Sequence, residues 1–279
     1  MVSLAKECDT TTTMIKGGYR KKGISSIKEK GLPLVSIVTV VYNGAAYIQS
    51  CIDTVAAQQY PNLEHIIIDG GSNDRTVSIL EENDDRVAFW LTEPDHGIYD
   101  AMNKSIQYCT GEWYMFLGVD DLLLEGFSEL MMKLKDSQTA YYGCVIYKGE
   151  PQYDGPVDSF KLVRSNICHQ ALLYPKVVFE NHQYDVRYKI AADNVLLLTL
   201  WKEQKIKFEY HQILISIFNH LGISGTDWDR LFFKNRNKLI YDHLGTMPYL
   251  YHLYVSFKEK ANKKIMKRVN KLKKFFGKA

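Results

Sequence analysis

Several features that would place a protein in a special class are missing from this chain. No apolar stretch approaches the roughly 20 residues that a membrane-spanning helix needs, and no signal peptide opens the sequence. The five cysteines are odd in number and never form a C-x-x-C pair, which argues against a disulfide framework and a zinc site. We therefore expect a protein of the reducing cytoplasm, either soluble or attached to a membrane surface.

Net charge is also small. A formal charge of +3 over 279 residues does not indicate nucleic acid binding. The hydrophobic content of 46% and the charged content of 24% are ordinary for a globular protein, and the length allows one substantial core. Basic residues concentrate near the end, because the sequence from Phe257 onwards has ten Lys and Arg against one Glu.

The middle of the chain alternates apolar runs with amphipathic helical segments. The runs at 34–41, 64–69 and 87–91 predict strands, and the segment between the first two predicts a helix with one apolar face. Strands and helices at this spacing predict βαβ units and a mixed, mostly parallel α/β sheet. Right-handed crossovers would bring the carboxyl ends of the strands to one edge, where open α/β sheets bind ligands.

The composition divides the chain into three predicted parts. Residues 1–32 form a polar N-terminal arm, residues 33–225 the α/β domain, and residues 226–279 a basic helical extension. Apolar residues recur at helical spacing in the extension: Ile265, Val269, Leu272 and Phe276. Such a stripe either lies on an anionic membrane surface, near a lipid-linked acceptor, or packs against the domain.

The central strand, predicted at 113–117, runs directly into Asp120 and Asp121. Two neighbouring carboxylates repel each other, and a divalent cation that bridges to a diphosphate would compensate for that repulsion. The alternative is that one of them caps the helix predicted at 122–134. At the expected sheet edge, the pair indicates a nucleotide site with a metal ion.

Five motifs in order resemble the family 2 glycosyltransferases, which have the GT-A fold. They are VSIVTVVYN at 35–43, DGGSND at 69–74, DHGIYDAMN at 95–103 followed by Gly111-Glu112, GVDD at 118–121 and ADN at 192–194. The resemblance covers roughly residues 34–224, and five motifs in the right order are more specific than any one of them. It implies a Rossmann-like, mixed, mostly parallel sheet flanked by helices, with a C-terminal helical extension.

The resemblance implies transfer of a hexosyl or N-acetylhexosaminyl group, with inversion, from a nucleotide-diphosphate donor to an acceptor hydroxyl. A UDP-sugar donor, a glycan or lipid-linked saccharide acceptor, and Mn²⁺ or Mg²⁺ are expected, in surface polysaccharide, O-antigen or exopolysaccharide synthesis at the inner face of the plasma membrane. Gly118 stands where the family has the first Asp of its D-x-D motif, so the ligand set is thinner. The alternatives are a nucleotidyltransferase, for which the loop at 43–45 is a poor phosphate loop, and a non-catalytic nucleotide-sugar-binding or scaffold module.

The resemblance assigns donor-binding roles to five residues: Val40, Tyr42, Asp69, Asp100 and Asp120. Val40 and Tyr42 would contact the base, and Asp69 would accept a hydrogen bond from it, which favours uracil. Asp120 would contact the ribose or share the metal with Asp121. The structural alternatives are a Tyr42 side chain packed at the strand end, Asp69 as a helix cap, and Asp100 as a solvated helix residue.

The resemblance places Asp193 where the family has its catalytic base, and backbone N–H groups at a helix start would keep this carboxylate ionised and able to take the proton of the acceptor hydroxyl. Its alternative role is a simple N-cap. His169 and Gln170 precede a strand on the expected acceptor side, and His96 is a candidate for contact with phosphate. For these last three residues the alternative is a purely structural role.

Overall fold

The computed structural model describes residues 14–153, 155–220, 222 and 228–276, which form one mixed sheet with helices on both faces. The strands are β1 Ile15–Gly17, β2 Val35–Val41, β3 Leu63–Asp69, β4 Phe89–Thr92, β5 Trp113–Phe116, β6 Leu122–Leu123, β7 Thr139–Tyr147, β8 Glu150–Gln152, β9 Leu172–Pro175 and β10 Lys207–Phe218. The helices are α1 Ile48–Ala56, α2 Thr76–Glu82, α3 Ile98–Ser105, α4 Gly126–Met131, α5 Ser159–Arg164, α6 Val177–Asn181, α7 Ala192–Glu203, α8 Arg230–Leu244 and α9 Thr246–Phe276. The predicted α/β architecture with a C-terminal helical extension is confirmed.

The sheet has the strand order β1-β4-β3-β2-β5-β9-β7-β10-β6, with β8 paired to β7. Four neighbours, β4, β3, β2 and β5, run parallel, so their carboxyl ends share one edge. The antiparallel strand β9 separates this group from β7, to which β10 is parallel. The predicted edge is therefore formed: Tyr42 follows β2, Asp69 ends β3, Asp95 follows β4 and Asp120 follows β5.

Strand β5 is buried on both faces, which explains its unbroken apolar sequence. Tyr114 and Phe116 join the core cluster under α3 and α7, whereas Trp113 and Met115 join the opposite cluster under α1 and α4. All four side chains are at most 2% exposed. Because the strand is held from both sides, the position of the two carboxylates that follow it is well determined.

One element differs from the prediction. The sequence predicts a single helix at 122–134, whereas the structure has the short strand β6 followed by the shorter helix α4. The reason is a long-range pairing, because β6 lies antiparallel to Ser216 and Ile217 of β10. Tertiary hydrogen bonding here overrides a local helical pattern, as it often does for short segments.

Residues 14–32, the described part of the predicted N-terminal arm, are joined to the sheet. Strand β1 pairs antiparallel with β4, and the Arg20 guanidinium lies 3.1 Å from the buried carboxylate of Glu64. The Asn62 side chain accepts the backbone N–H groups of residues 28–29 at 2.8 and 2.9 Å. This segment therefore extends the sheet by one edge strand, and residues 1–13 lie outside the described part.

The C-terminal extension packs on the domain through helices α5 and α7. Helix α8 lies on α7, and α9 lies on α8 and α5. Arg236 of α8 donates to the Val163 carbonyl of α5 at 2.9 Å, and the ring of Phe160 meets Tyr251 of α9 at a centroid distance of 5.5 Å. Among the described helices, none is both long enough and apolar enough to cross a membrane.

Candidate active site

The loops after β2 and β3 are fastened to each other. The Asn43 backbone N–H donates to the Ser72 hydroxyl at 2.7 Å, and the Asn73 N–H donates to the Asn43 side-chain oxygen at 3.0 Å. Asn43 has a φ of 52°, a left-handed conformation that Asn adopts more readily than most residues. This pair of loops presents Tyr42 with 63% of its surface exposed, so the alternative of a packed Tyr42 is wrong.

Asp69 is fully buried at the end of β3 and stabilises the loop that follows it. Its carboxylate accepts the backbone N–H groups of Gly71 and Ser72, at 3.2 and 2.9 Å, and the hydroxyls of Ser72 and Thr92. The N-cap of α2 is Arg75, so Asp69 is not a helix cap. Its hydrogen bond to a base stays a prediction. Val40, the other predicted base contact, is partly buried within β2.

The loop after β4 lies against the same edge. A Cβ atom on Gly70 would stand 2.4 Å from an Asp95 carboxylate oxygen, so a larger residue there would displace the Asp95 side chain. Asp100, in the first turn of α3, accepts the His96 backbone N–H at 2.9 Å and lies 3.5 Å from the Lys104 ammonium. Asp100 therefore has a local structural role rather than a merely solvated one. The donor role of Asp100 and the phosphate role of the exposed His96 stay predictions.

The two carboxylates after β5 are held by a residue that the sequence analysis missed. Asn219, just after β10, donates its backbone N–H to Asp121 at 2.8 Å and its side-chain amide to Asp120 at 3.0 Å. The second Asp121 oxygen accepts the Gly118 N–H at 3.1 Å. Burial raises the pKa of Asp121 to about 7, although the Asn219 N–H opposes that shift. Asp120 is the more accessible of the pair.

The Asp pair fits a metal ion that is shared with a substrate, not an all-protein metal site. Across residues 14–153, 155–220, 222 and 228–276, no group of three or more His, Cys, Asp or Glu is arranged to hold a metal. Beyond the hydrogen bond from Asn219, the Asp120 carboxylate keeps lone pairs that could bind a cation. Mg²⁺ usually binds one or two carboxylates together with substrate phosphates. Neither residue caps α4, whose N-cap is Glu125, so the capping alternative is wrong.

The carboxylate of Asp193 is held by two side chains from distant parts of the chain. Its Oδ1 accepts a hydrogen bond from the Tyr99 hydroxyl at 2.8 Å, and its Oδ2 accepts one from the Asn166 amide at 3.0 Å. Asp193 lies in the first turn of α7, whose N-cap is Ala191, so the N-cap alternative is wrong. Tyr99 belongs to a motif that the sequence analysis recognised without giving this residue a role, and Asn166 carried no signal.

The two residues predicted on the acceptor side lie in different places, His169 near Asp193 and Gln170 near Asp121. The His169 ring stacks on Phe116 at a centroid distance of 5.3 Å, and its Nε2 lies 2.8 Å from the Tyr184 hydroxyl. Burial lowers the pKa of His169, and the charge of Asp193 opposes this shift only in part. The Gln170 side chain instead hydrogen-bonds Asp121. His169 thus lies beside the predicted base and Gln170 beside the predicted metal site, while their roles toward an acceptor stay predictions.

This chain is similar to known glycosyltransferases. A family model described as Glycosyl transferase family 2 matches residues 36–190. A PGL/p-HBAD biosynthesis glycosyltransferase of Mycobacterium bovis is 29% identical over 213 residues, which cover 72% of this chain and 83% of the relative. An uncharacterized glycosyltransferase of Mycobacterium tuberculosis is 32% identical over 178 residues, which cover 60% of this chain and 68% of the relative.

Two solved structures share the fold. Staphylococcus aureus TarS in complex with UDP aligns with a TM-score of 0.54 and 15% identity, over 76% of this chain and 70% of TarS. The mannosyltransferase PcManGT from Pyrobaculum calidifontis, in complex with GDP-Man and Mn²⁺, aligns with a TM-score of 0.56 and 18% identity, over 86% of this chain and 70% of that protein. The family match spans more than half of the chain and contains the carboxyl ends of β2, β3, β4 and β5. This chain therefore belongs to the family 2 glycosyltransferases, with the GT-A fold.

Proposed function

We propose that this glycosyltransferase transfers a sugar from a UDP-sugar, with inversion, to an acceptor hydroxyl. The observation that carries the proposal is the hydrogen bond between Tyr99 and Asp193. Tyr99 lies on the helix that begins at the nucleotide edge, so this bond joins a carboxylate suited to proton abstraction to the donor side. A base and a leaving-group site on separate elements suit a single displacement, in which the acceptor and the leaving group lie on opposite faces of the sugar.

The donor is proposed to bind along the edge formed by β2, β3 and β5. Val40 and Tyr42 would contact the base, and Asp69 would accept a hydrogen bond from it, as uracil can donate from its ring N–H. Asp100 and Asp120 would contact the ribose and diphosphate side. The complex of TarS with UDP supports a uridine donor, whereas the complex of PcManGT with GDP-Man makes guanosine the competing choice.

In the proposed reaction, the acceptor hydroxyl gives its proton to Asp193 while its oxygen attacks the anomeric carbon. The bond from that carbon to the donor phosphate oxygen breaks, and its electron pair leaves with the nucleoside diphosphate. When bound by Asp120 and Asp121, Mn²⁺ or Mg²⁺ would neutralise charge on the leaving diphosphate. The stacked rings of Phe116 and His169 would help to exclude water from the base.

We propose a glycan or lipid-linked saccharide as the acceptor, in surface polysaccharide synthesis at an anionic membrane face. Helix α9 supports this because its outward side carries Met247, Leu250, Tyr254 and Phe257, and Phe257 is 72% exposed. Lys258 lies over the Tyr254 ring at 4.9 Å. Exposed apolar groups beside lysines are typical of helices that lie on anionic lipid. Of the predicted stripe, Ile265 is exposed, whereas the side chains of Val269, Leu272 and Phe276 lie outside the described part.

The donor is tested by following nucleoside diphosphate release from a panel of UDP-, GDP- and dTDP-sugars, with Mn²⁺ and then with EDTA. We expect slow hydrolysis of one UDP-sugar that EDTA abolishes, because water can replace the acceptor. Hydrolysis of a GDP- or dTDP-sugar instead would overturn the uridine assignment. No hydrolysis together with no nucleotide binding by calorimetry would favour the non-catalytic scaffold.

Membrane binding is tested by sedimentation with liposomes that contain phosphatidylglycerol. Deletion of residues 257–279, or the double change Leu250→Ser and Phe257→Ser, should reduce the bound fraction severalfold. The matched control is Met132→Ser, which changes an exposed apolar residue at the end of α4. Equal binding by the full chain and the deleted chain would exclude α9 as the contact.

A further inference from the structure

The hydrogen bonds around Asp193 carry an inference that rests on the proposed function. We propose that Tyr99 and Asn166 are positioning residues for the base, and that Tyr99 turns its hydroxyl proton between Asp193 and the Ile190 carbonyl as the base loses and gains a proton. The two donors come from α3 and from the segment between α5 and β9, so they hold the carboxylate from two sides.

The geometry around the Tyr99 hydroxyl provides two acceptors for one proton. The oxygen lies 2.8 Å from Asp193 Oδ1 and 2.8 Å from the Ile190 carbonyl oxygen. A hydroxyl has a single proton and can donate to only one acceptor at a time. Tyr99 is buried, so its hydroxyl has less access to water than to these two oxygens.

When Asp193 is ionised, it accepts a hydrogen bond from the Tyr99 hydroxyl. A charged carboxylate is a stronger acceptor than a backbone carbonyl, so the hydroxyl then points to Asp193. Burial, followed by the charge of Asp193, raises the pKa of Tyr99 well above its usual value, so the hydroxyl stays protonated. With Asn166 on the other oxygen, both carboxylate oxygens have a donor, and each keeps a further lone pair for the acceptor.

When Asp193 is protonated, the direction of its hydrogen bond with Tyr99 reverses. A proton taken up on Oδ1 is donated to the Tyr99 oxygen, and Tyr99 turns its own proton to the Ile190 carbonyl. The same heavy-atom distances serve both states, so only hydrogen atoms move. Asn166 donates to Oδ2 in both states, which keeps the carboxylate plane in place while the proton arrives.

The Ile190 carbonyl belongs to a segment that is itself fixed. The Asp229 carboxylate accepts the backbone N–H groups of Ile190 and Ala191, at 3.0 and 3.3 Å, and caps α8 by accepting the Phe232 N–H at 2.9 Å. Asp229 is buried. The second acceptor for Tyr99 is therefore held by the C-terminal extension.

Other titratable groups also face Asp193. They are His169 before β9, Tyr174 on β9 and Tyr184 after α6. Burial raises the pKa of both tyrosines well above their usual value and lowers that of His169. None of the three is hydrogen-bonded to the Asp193 carboxylate among the bonds described, so an experiment must separate them from Tyr99.

The inference is tested by ¹³C NMR of the full chain with labelled Asp carboxyl and Tyr ring carbons. Asp193→Asn and Tyr99→Phe identify the two signals. Tyr99→Phe and Asn166→Ala should each raise the Asp193 titration midpoint, because each removes a hydrogen-bond donor to the ionised form. Tyr60→Phe, which removes a buried hydroxyl that donates to the distant Pro33 carbonyl, should not move the midpoint.

The change of hydrogen-bond acceptor by the Tyr99 hydroxyl is followed by a separate signal. The Tyr99 Cζ signal should titrate with the same midpoint as Asp193 and become independent of pH in Asp193→Asn. A Tyr99 signal that ignores the Asp193 titration, or an Asp193 midpoint that both variants leave unchanged, would overturn the inference. If Asp193→Asn keeps full turnover of the UDP-sugar found in the donor panel, the base assignment fails, and with it the assignment of Tyr99 and Asn166 to catalysis.

Discussion

The donor edge and the setting of the base are built in different ways. At the proposed donor edge, Asp69 and Asp100 each bind a loop next to them in sequence. Longer-range bonds, such as the one from Asn43 to Ser72, join neighbouring loops to each other. Around Asp193, by contrast, the partners come from separate elements, Tyr99 on α3 and Asn166 before β9. The comparison teaches that the carboxylates of the proposed donor edge find some partners within their own motifs, whereas the partners of the proposed base depend on how distant elements pack.

Asn219 stands between the two cases. It belongs to the donor edge by position, because it binds both Asp120 and Asp121. It lies just after β10, far along the chain from both carboxylates. Asn219 is therefore, with Gln170, a residue that reaches the Asp pair from a distant part of the chain, and the sequence motifs did not reveal it.

The largest expected effect separates the two regions directly. Asp193→Asn should lower sugar transfer at least about 100-fold, because proton abstraction is lost, while the affinity for UDP stays unchanged. Turnover and calorimetric UDP binding are the measurements. Asp53→Asn on α1 is the matched control, as it changes a half-exposed carboxylate outside the site. A parallel loss of UDP binding would show that Asp193 belongs to the donor region instead.

Metal removal should affect the donor edge and leave the base setting intact. We expect EDTA, or Asp120→Asn, to lower turnover by about 10- to 100-fold, because the charge on the leaving diphosphate is then less well neutralised. Added Mn²⁺ should restore the EDTA-treated enzyme but not the variant. The Asp193 titration midpoint should stay where it is, and full turnover in EDTA would remove the metal from the proposed site.

The smallest effect concerns stability in the metal-free protein. With the pKa of Asp121 raised to about 7, the folded chain binds this proton more tightly than the unfolded chain, so unfolding releases a proton between about pH 4 and pH 7. The free energy of unfolding should therefore fall as pH rises through this window, by at most about 1.4 kcal/mol per pH unit. Urea unfolding at several pH values would measure it. Asp121→Asn should make the free energy of unfolding less dependent on pH in this window. An identical pH dependence in both proteins would contradict the assignment.

Much of the fold could be predicted because the signals are local. Buried strands such as β2 and β5 have continuous apolar sequences, and turn residues mark their ends. The prediction of a helix over 122–134 was wrong because its first residues pair with β10, which lies far along the chain. The predicted meeting of the strand ends at one sheet edge was confirmed. The roles of the residues there stay predictions, and the Asp193 partners were not foreseen.

The sequence by itself determined the family, the α/β fold class and the carboxylates at the strand ends, because apolar periodicity and short motifs depend only on neighbouring residues. Only the tertiary structure decided that Tyr99 and Asn166 hold Asp193, that Asn219 holds Asp120 and Asp121, and that α9 leaves an apolar side exposed. The physical reason is that these are hydrogen bonds and packing contacts between distant segments. Their existence depends on the relative placement of whole elements, which residue spacing along the chain does not encode.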